Sequence, residues 1–339
     1  MTSLPAEMAC AMWRGINDMR LERQPIPTPQ GREVLIRVAA CGICATDLHL
    51  LDGSIPLYQP PRILGHEMSG TVVAVGPDAR SVEVGAAVAV DPNVSCGSCF
   101  YCQEALPYVC PRRTSMIGGF AEYLRVPEQT VYPLPPGIPV EYGAIAEPLS
   151  CVLRATERGG MRAGGTVAIV GAGTIGLLTL QLAKRSGAAL VAVSEPDPDR
   201  RALALELGAD LAIDPTSEDP RERLLAETRG IGVDVAFEAV GSVVTAQTAI
   251  SLPRRSGTVV LIGVPPATAE LTLKSYELFE RELTIRTSFI RAFEFRRAVE
   301  LLAVLDIDPL LGTRFPLDRV HDAFTAASSR QGVKTLVTP

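Results

Sequence analysis

The chain has 339 residues, 47% of them hydrophobic, 21% charged and only 5% aromatic. That is enough apolar mass for two packed domains, and the balance excludes a disordered chain. A net charge of −6, spread without long runs of either sign, argues against nucleic acid or anionic membrane as a partner and leaves a small molecule.

Near the start, Trp13-Arg14 and Asn17-Asp18-Met19-Arg20 break any apolar run before it reaches signal-peptide length, so the expected location is the cytoplasm. Up to about residue 150, short β-branched runs such as Val34 to Ala39 and Thr71 to Val75 alternate with glycine and proline and predict strands joined by loops. Six prolines, at 127, 133, 135, 136, 139 and 148, then predict an extended crossover into a second domain. Ala163 to Ala183 is 21 residues long, carries no charge and is long enough to span a bilayer. Its first half is rich in valine and isoleucine, its middle is glycine and its second half leucine, which predicts a strand, a tight turn and a buried helix instead. Strands at Thr166 to Val170, Leu190 to Val193, Val233 to Glu238, Thr258 to Gly263 and Leu283 to Thr287 alternate with helices, among them one at Asp199 to Leu207. This alternation predicts a parallel sheet covered on both faces. Helices at Phe293 to Leu305 and Asp318 to Ala327 and a strand at Lys334 to Val337 close the chain.

Three motifs carry chemistry. Cys96, Cys99, Cys102 and Cys110 fall within fifteen residues at C-x2-C-x2-C-x7-C spacing, which suits tetrahedral zinc or an iron-sulfur cluster. A disulfide pair fits four such closely spaced thiols poorly. Gly171, Gly173 and Gly176 form G-x-G-x-x-G, with Ile175 inside it, after a strand and at the mouth of a helix. Glu195 follows Gly176 by nineteen residues at the end of the next strand, where it would accept hydrogen bonds from a ribose. That acid repels a 2′-phosphate and predicts NAD over NADP; Arg200 beside it suits either adenine stacking or a phosphate. The third motif draws on scarce histidines, since only His49, His66 and His321 exist. Cys44 followed about twenty residues later by His66-Glu67 offers thiolate, imidazole and carboxylate, and leaves one position on a catalytic zinc for water or substrate.

The strings GICATDLH, GHE, CGSCFYC with its later Cys110, EPLS and GAGTIG, in this order, resemble the medium-chain zinc-dependent dehydrogenases, which include alcohol, sorbitol and threonine dehydrogenases. The resemblance covers nearly the whole chain. It implies a mixed α/β fold: a GroES-like β-rich catalytic domain at 1–150 holding both zinc sites, a Rossmann NAD-binding domain at 151–290, and a return of 291–339 to the first domain. By the same resemblance Cys44, His66 and Glu67 hold catalytic zinc, with Glu147 as an exchangeable ligand or water holder. Cys96, Cys99, Cys102 and Cys110 hold a structural zinc. Thr46 would pass a proton through the nicotinamide ribose to His49, Asp47 would orient a zinc ligand, and Ile262, Gly263, Val264, Ser288, Phe289 and Ile290 would line the nicotinamide. Cys10, Cys41 and Cys151 are expected to be inert core thiols.

Glu147 before Pro-Leu favours the polyol and threonine branch, because simple alcohol dehydrogenases place a cysteine there. The expected reaction is oxidation of a secondary alcohol, a polyol, cyclitol or sugar derivative, by NAD. Threonine-type and small-alcohol or diol dehydrogenases are the rivals, and a non-catalytic zinc and nucleotide binder is the rival of another class. Relatives of this branch are commonly tetramers or dimers, so a homo-oligomer is expected. Three departures bear on substrate: only eight residues separate Cys110 from Gly119, Ile290 stands where sorbitol dehydrogenases carry an arginine, and Thr287 replaces a frequent glycine.

Overall fold

In the computed structural model, which describes residues 4–115, 117–330 and 332–339, apolar alternation near the N-terminus becomes a hairpin. Strands β1 (Glu7–Gly15) and β2 (Asp18–Pro25) pair antiparallel, with Trp13 opposite Met19. Asn17 makes the turn with φ of 54°, a conformation that asparagine tolerates better than most residues. Next come β3 (Glu33–Gly42), α1 (Ala45–Asp52), β4 (Arg62–Ile63), β5 (Glu67–Val75), β6 (Ala87–Val90), β7 (Asn93–Val94), α2 (Phe100–Gln103), β8 (Thr114–Ser115), β9 (Tyr123–Pro127) and β10 (Val131–Pro133). The proline-rich stretch differs from the extended crossover that its composition predicts. It forms 3-10 turns at Glu128–Thr130 and Val140–Ile145 and then enters α3 (Ala146–Gly159), where Pro148 sits in the first turn and removes no helical hydrogen bond.

From α3 the chain builds β11 (Thr166–Val170), α4 (Thr174–Arg185), β12 (Leu190–Ser194), α5 (Pro198–Glu206), β13 (Leu211–Ile213), α6 (Pro220–Glu227), β14 (Val233–Glu238), α7 (Val243–Ser251), β15 (Pro253–Leu261), α8 (Ser275–Arg281) and β16 (Thr284–Thr287). These six strands are all parallel, in the order β13-β12-β11-β14-β15-β16. Reading outward, that is 3-2-1-4-5-6, the order whose reversal beside the first strand makes a nucleotide crevice. β15 starts five residues before its expected position, passing through Ser256 at φ of 56°. The uncharged run at 163–183 is β11, the glycine turn and α4, and α4 is buried along most of its length. Among the described residues no helix is long and apolar enough to cross a membrane.

The chain ends with α9 (Phe295–Leu301), β17 (Leu311–Pro316), α10 (Val320–Ser328) and β18 (Lys334–Thr338). Contacts divide it into two units, Met1–Ser150 with Ala292–Pro339, and Cys151–Arg291. In the first unit a seven-stranded sheet runs β10-β6-β5-β3-β18-β17, with β9 also on β3, so the last strand of the chain lies against an early one. Val34, Ile36, Leu50, Met68, Phe120 and Phe324 share its core, and the Phe120 and Phe324 rings meet edge to face at 5.6 Å. The second unit buries Ala168, Val170, Ala192, Val233, Ala236 and Val259 around its sheet.

Candidate active site and cofactor sites

Strand pairing brings the first site together. Gly42, the last residue of β3, pairs with Glu67, the first of β5, so Cys44 just past one strand meets His66 and Glu67 at the start of the other. A Cβ at Gly42 would lie 2.0 Å from Glu67 Oε2, which is why only glycine fits beside that carboxylate. One ligand atom each from Cys44, His66 and Glu67 lies within 4.8 Å of the others. Cys44 is the N-cap of α1, its N–H donating to Asp47 Oδ2 at 2.9 Å. The other oxygen of the buried Asp47 accepts from Gly65 N at 3.3 Å and lies 3.4 Å from His66 Nδ1. With Nδ1 beside Asp47, Nε2 is the ring nitrogen left to serve as a ligand. Burial disfavours the charged imidazole, but Asp47 and then Cys44 outweigh it and hold the His66 pKa well above its usual value.

Behind Glu67 stands Lys334, which the sequence analysis did not single out. Its Nζ is 2.8 Å from Glu67 Oε1, 2.7 Å from Oε2 and 3.2 Å from Ile43 O. Both side chains are buried, Lys334 at 6% exposure and Glu67 at 1%. Burial pulls the Lys334 pKa down, and Glu67 together with Cys44 and Glu147 raises it beyond the ordinary value, so the ammonium stays charged. Glu67 Oε2 has no hydrogen bond apart from this ion-pair contact, and a buried carboxylate oxygen beside a thiol and an imidazole suits a zinc ion. Glu147, buried in the first turn of α3, is outside the group of three and bears on Glu67 through its charge. A lone charged residue opening the final strand was the signal for Lys334 in the sequence.

Thr46 and His49 stand three apart on α1, hence on one face. Thr46 Oγ1 is 3.7 Å from Cys44 Sγ, while His49 Nδ1 meets Ser54 Oγ at 2.9 Å. No hydrogen bond joins Thr46 to His49 directly among the described residues, so a relay between them needs a bridging group. Ser54, which spacing did not reveal, is the partner that the structure gives His49.

The four cysteines converge. Cys96–Cys102, Cys99–Cys102, Cys99–Cys110 and Cys110–Cys96 sulfur distances are 3.9, 3.5, 3.7 and 3.5 Å, and all four thiols are free. A disulfide needs about 2.0 Å. Thiolates about 2.3 Å from one tetrahedral ion are separated by about 3.8 Å, which matches a single zinc and is too close for the spread of a cluster. Backbone N–H groups at Ser98 and Cys99 hold the Cys96 thiol down to about 5, whereas burial and neighbouring thiols push Cys102 up to about 11. Four thiolates therefore ionise together only around a cation. Cys10 and Cys41 are buried in the core and Cys151 is half-buried.

In the second unit Gly171 adopts φ of 101°, and a Cβ at Gly176 would sit 1.8 Å from Gly171 O. Around Gly173, the N-cap of α4, nothing lies within 4 Å of where a Cβ would be, which leaves backbone open to a pyrophosphate. Ile175 is half-buried in the first turn of α4. Glu195, the residue after β12, is buried, its Oε2 accepting from Ala172 N at 2.7 Å, and Arg200 lies in the first turn of α5. Ile262 N and Gly263 N donate to Glu238 O, and Val264 is exposed. The buried Glu238, another residue that pattern did not flag, accepts from Val240 N, Gly241 N and Thr245 Oγ1 through Oε1. Ser288 and the exposed Phe289 are braced by Arg154 of α3, whose Nη1 donates to Ser288 Oγ and Phe289 O. Ile290 follows at φ of 43°, a left-handed conformation that costs a β-branched residue strain.

Residues 30–136 match the alcohol dehydrogenase GroES-like domain family, and residues 174–304 match the zinc-binding dehydrogenase family. Sorbitol dehydrogenase of Bacillus subtilis is 32% identical over 349 residues, covering 99% of both chains. The chain belongs to the zinc-dependent medium-chain alcohol dehydrogenases. Within that family, L-threonine 3-dehydrogenase of Pyrococcus furiosus is 36% identical over 88% of this chain and 89% of its own. A zinc-binding dehydrogenase from Sinorhizobium meliloti, bound to NADP, superposes with a TM-score of 0.95 at 37% identity over 99% of this chain and 100% of its own. An Escherichia coli alcohol dehydrogenase (rspB) complexed with NADH superposes at 0.90 and 30% identity, again over 99% and 100%. Relatives of this dehydrogenase thus include both an NADP-bound and an NADH-bound structure.

Proposed function

We propose that this dehydrogenase oxidises a secondary alcohol of the polyol, cyclitol or sugar-derivative class, using NAD. The observation that carries the reading is the group formed by Cys44, His66 and Glu67, three different donors at the end of paired strands. In this reading Met1–Ser150 with Ala292–Pro339 forms the catalytic domain and Cys151–Arg291 binds the dinucleotide. Cys44, His66 and Glu67 hold zinc, with Glu147 the candidate to exchange with water or a ligand. Cys96, Cys99, Cys102 and Cys110 hold a second ion that leaves no open position. Zinc, when bound, acidifies the substrate hydroxyl by several units, and the dinucleotide accepts the hydride.

The chain's own residues do the remaining work. Asp47 fixes the tautomer and direction of His66, and Lys334 balances the charge of Glu67. Thr46 receives the hydroxyl proton while passing its own on, the nicotinamide ribose would bridge the gap, and the half-exposed His49, hydrogen-bonded to Ser54, delivers the proton to water. Gly171, Gly173, Ile175 and Gly176 cradle the pyrophosphate, and Glu195 and Arg200 receive the adenosine. Ile262, Gly263, Val264, Ser288, Phe289 and Ile290 line the nicotinamide. Eight free thiols suit a reducing compartment, the cytoplasm. A homo-oligomer forms through β16, an edge strand beside α8, whose Tyr276 and Phe279 are 76% and 81% exposed.

The test is zinc content per chain followed by NAD and NADP reduction with polyols, cyclitols, sugars, threonine and simple diols. Preference for threonine would replace the polyol reading, and no turnover at full zinc content would replace catalysis by binding alone.

A further inference from the structure

Asp214 and Arg201 form a pair that the readings above leave unused. β12 and β13 run parallel with Ser194 opposite Ile213, so Glu195 and Asp214 leave the sheet side by side at its C-terminal edge. Glu195 N donates to Ile213 O at 3.0 Å, and the Glu195 carboxylate is held by Ala172 N at 2.7 Å and Asp197 N at 3.1 Å. An arginine at this place is the usual means of accepting a 2′-phosphate, because its planar fork matches the phosphate oxygens. Arg201, in the first half of α5, has the reach and the chemistry.

Its guanidinium is instead held by two protein acceptors. Nη1 donates to Glu195 O at 2.7 Å, and Nη2 lies 3.1 Å from Asp214 Oδ2. Asp214 is itself anchored, since Oδ1 accepts from Thr216 N at 2.9 Å and from Thr216 Oγ1 at 2.6 Å. One carboxylate oxygen thus caps a turn while the other neutralises the arginine. The side chains keep 20% and 26% exposure, so the pair can part without opening the core.

We propose that Asp214 is a specificity residue: it stows Arg201 against the end of β12, denies a 2′-phosphate its cation, and so favours NAD over NADP. This rests on the reading that the dinucleotide lies on Gly171 to Gly176 with its ribose at Glu195. Asp214→Asn keeps the cap on Thr216 and removes the charge that holds Arg201. In fluorescence titrations of the zinc-replete enzyme with NADH and NADPH, Asp214→Asn shifts the ratio of the two affinities about fivefold toward NADPH, the scale of one partly exposed ion pair. The shift disappears in Asp214→Asn/Arg201→Ala. Asp214→Ser, which also leaves an acceptor for Thr216, provides the same comparison if the asparagine form melts early. An unchanged ratio, or a shift that survives loss of Arg201, overturns the proposal. The wild-type ratio tests the NAD reading separately: tighter NADPH binding there refutes that preference, and the double substitution still reports on the pair.

Discussion

Replacing Lys334 with methionine removes one partner from a buried pair, because Lys334 is 6% exposed and Glu67 1%. Leaving the other charge uncompensated in such a site costs about 3–5 kcal/mol. Proton uptake sets a ceiling: neutralising a carboxyl of ordinary pKa about 4.3 at pH 7 costs about 3.7 kcal/mol, and because burial already raises Glu67 in the wild type the loss stays below that figure. Burial already holds the Glu67 pKa above its usual value in the wild type, against the lowering pull of Lys334. Without the lysine it rises further, so the added penalty is absent below about pH 4 and grows as pH rises. Between pH 7 and pH 5.5 the deficit shrinks by up to about 2 kcal/mol. Spread over a unit of this size, the ceiling of about 3.7 kcal/mol corresponds to a melting shift of about 7–15 °C. Zinc bound by Glu67 supplies a substitute positive charge, so excess zinc recovers most of the shift, and Lys334→Arg loses little. Thermal melts of wild type, Lys334→Met and Lys334→Arg, at pH 5.5 and 7 with and without zinc, measure each of these quantities. A pH-independent deficit, equal in both zinc conditions, would show that Lys334 merely packs and does not balance Glu67.

Cys99→Ser is expected to lose one zinc per chain and stability, whereas Cys44→Ser keeps the fold and that zinc but loses turnover; metal analysis beside kcat separates them. His49→Ala flattens the limb of the pH-rate profile that reports proton release, and Ser54→Ala moves the same limb by a smaller amount; an unchanged profile removes His49 from the relay. Glu128, whose carboxylate accepts from Ser81 N, Arg80 N and Ser81 Oγ and pairs with Arg32, is held down at about 2. Its depressed pKa makes the contribution complete above about pH 4.5 and lost as pH falls toward 2, so the melting difference between wild type and Glu128→Gln narrows across that window.

Local chemistry made much of this protein legible from the chain. Glycines at 171, 173 and 176 and the four cysteines from 96 to 110 lie close in sequence, so their spacing alone restricts what they can do. Five of the six strands from Thr166 to Thr287 declared themselves by alternation, because each must bury an apolar face; β13, only three residues long, did not. The proline-rich stretch misled, since proline is disfavoured inside a helix yet accepted in its first turn, where Pro148 stands. Contacts across long separations were invisible. Lys334 reaches Glu67 across 267 residues only because β18 lies against β3, and Arg154 braces Ser288 across 134. Spacing proposed Cys44, His66 and Glu67 as donors, and pairing of Gly42 with Glu67 brought them within 4.8 Å. What the sequence determined by itself was therefore donor chemistry and local backbone. What tertiary structure alone decided was the set of counter-charges around it, because a buried charge is stabilised by whichever group the fold brings near, whatever its place in the chain.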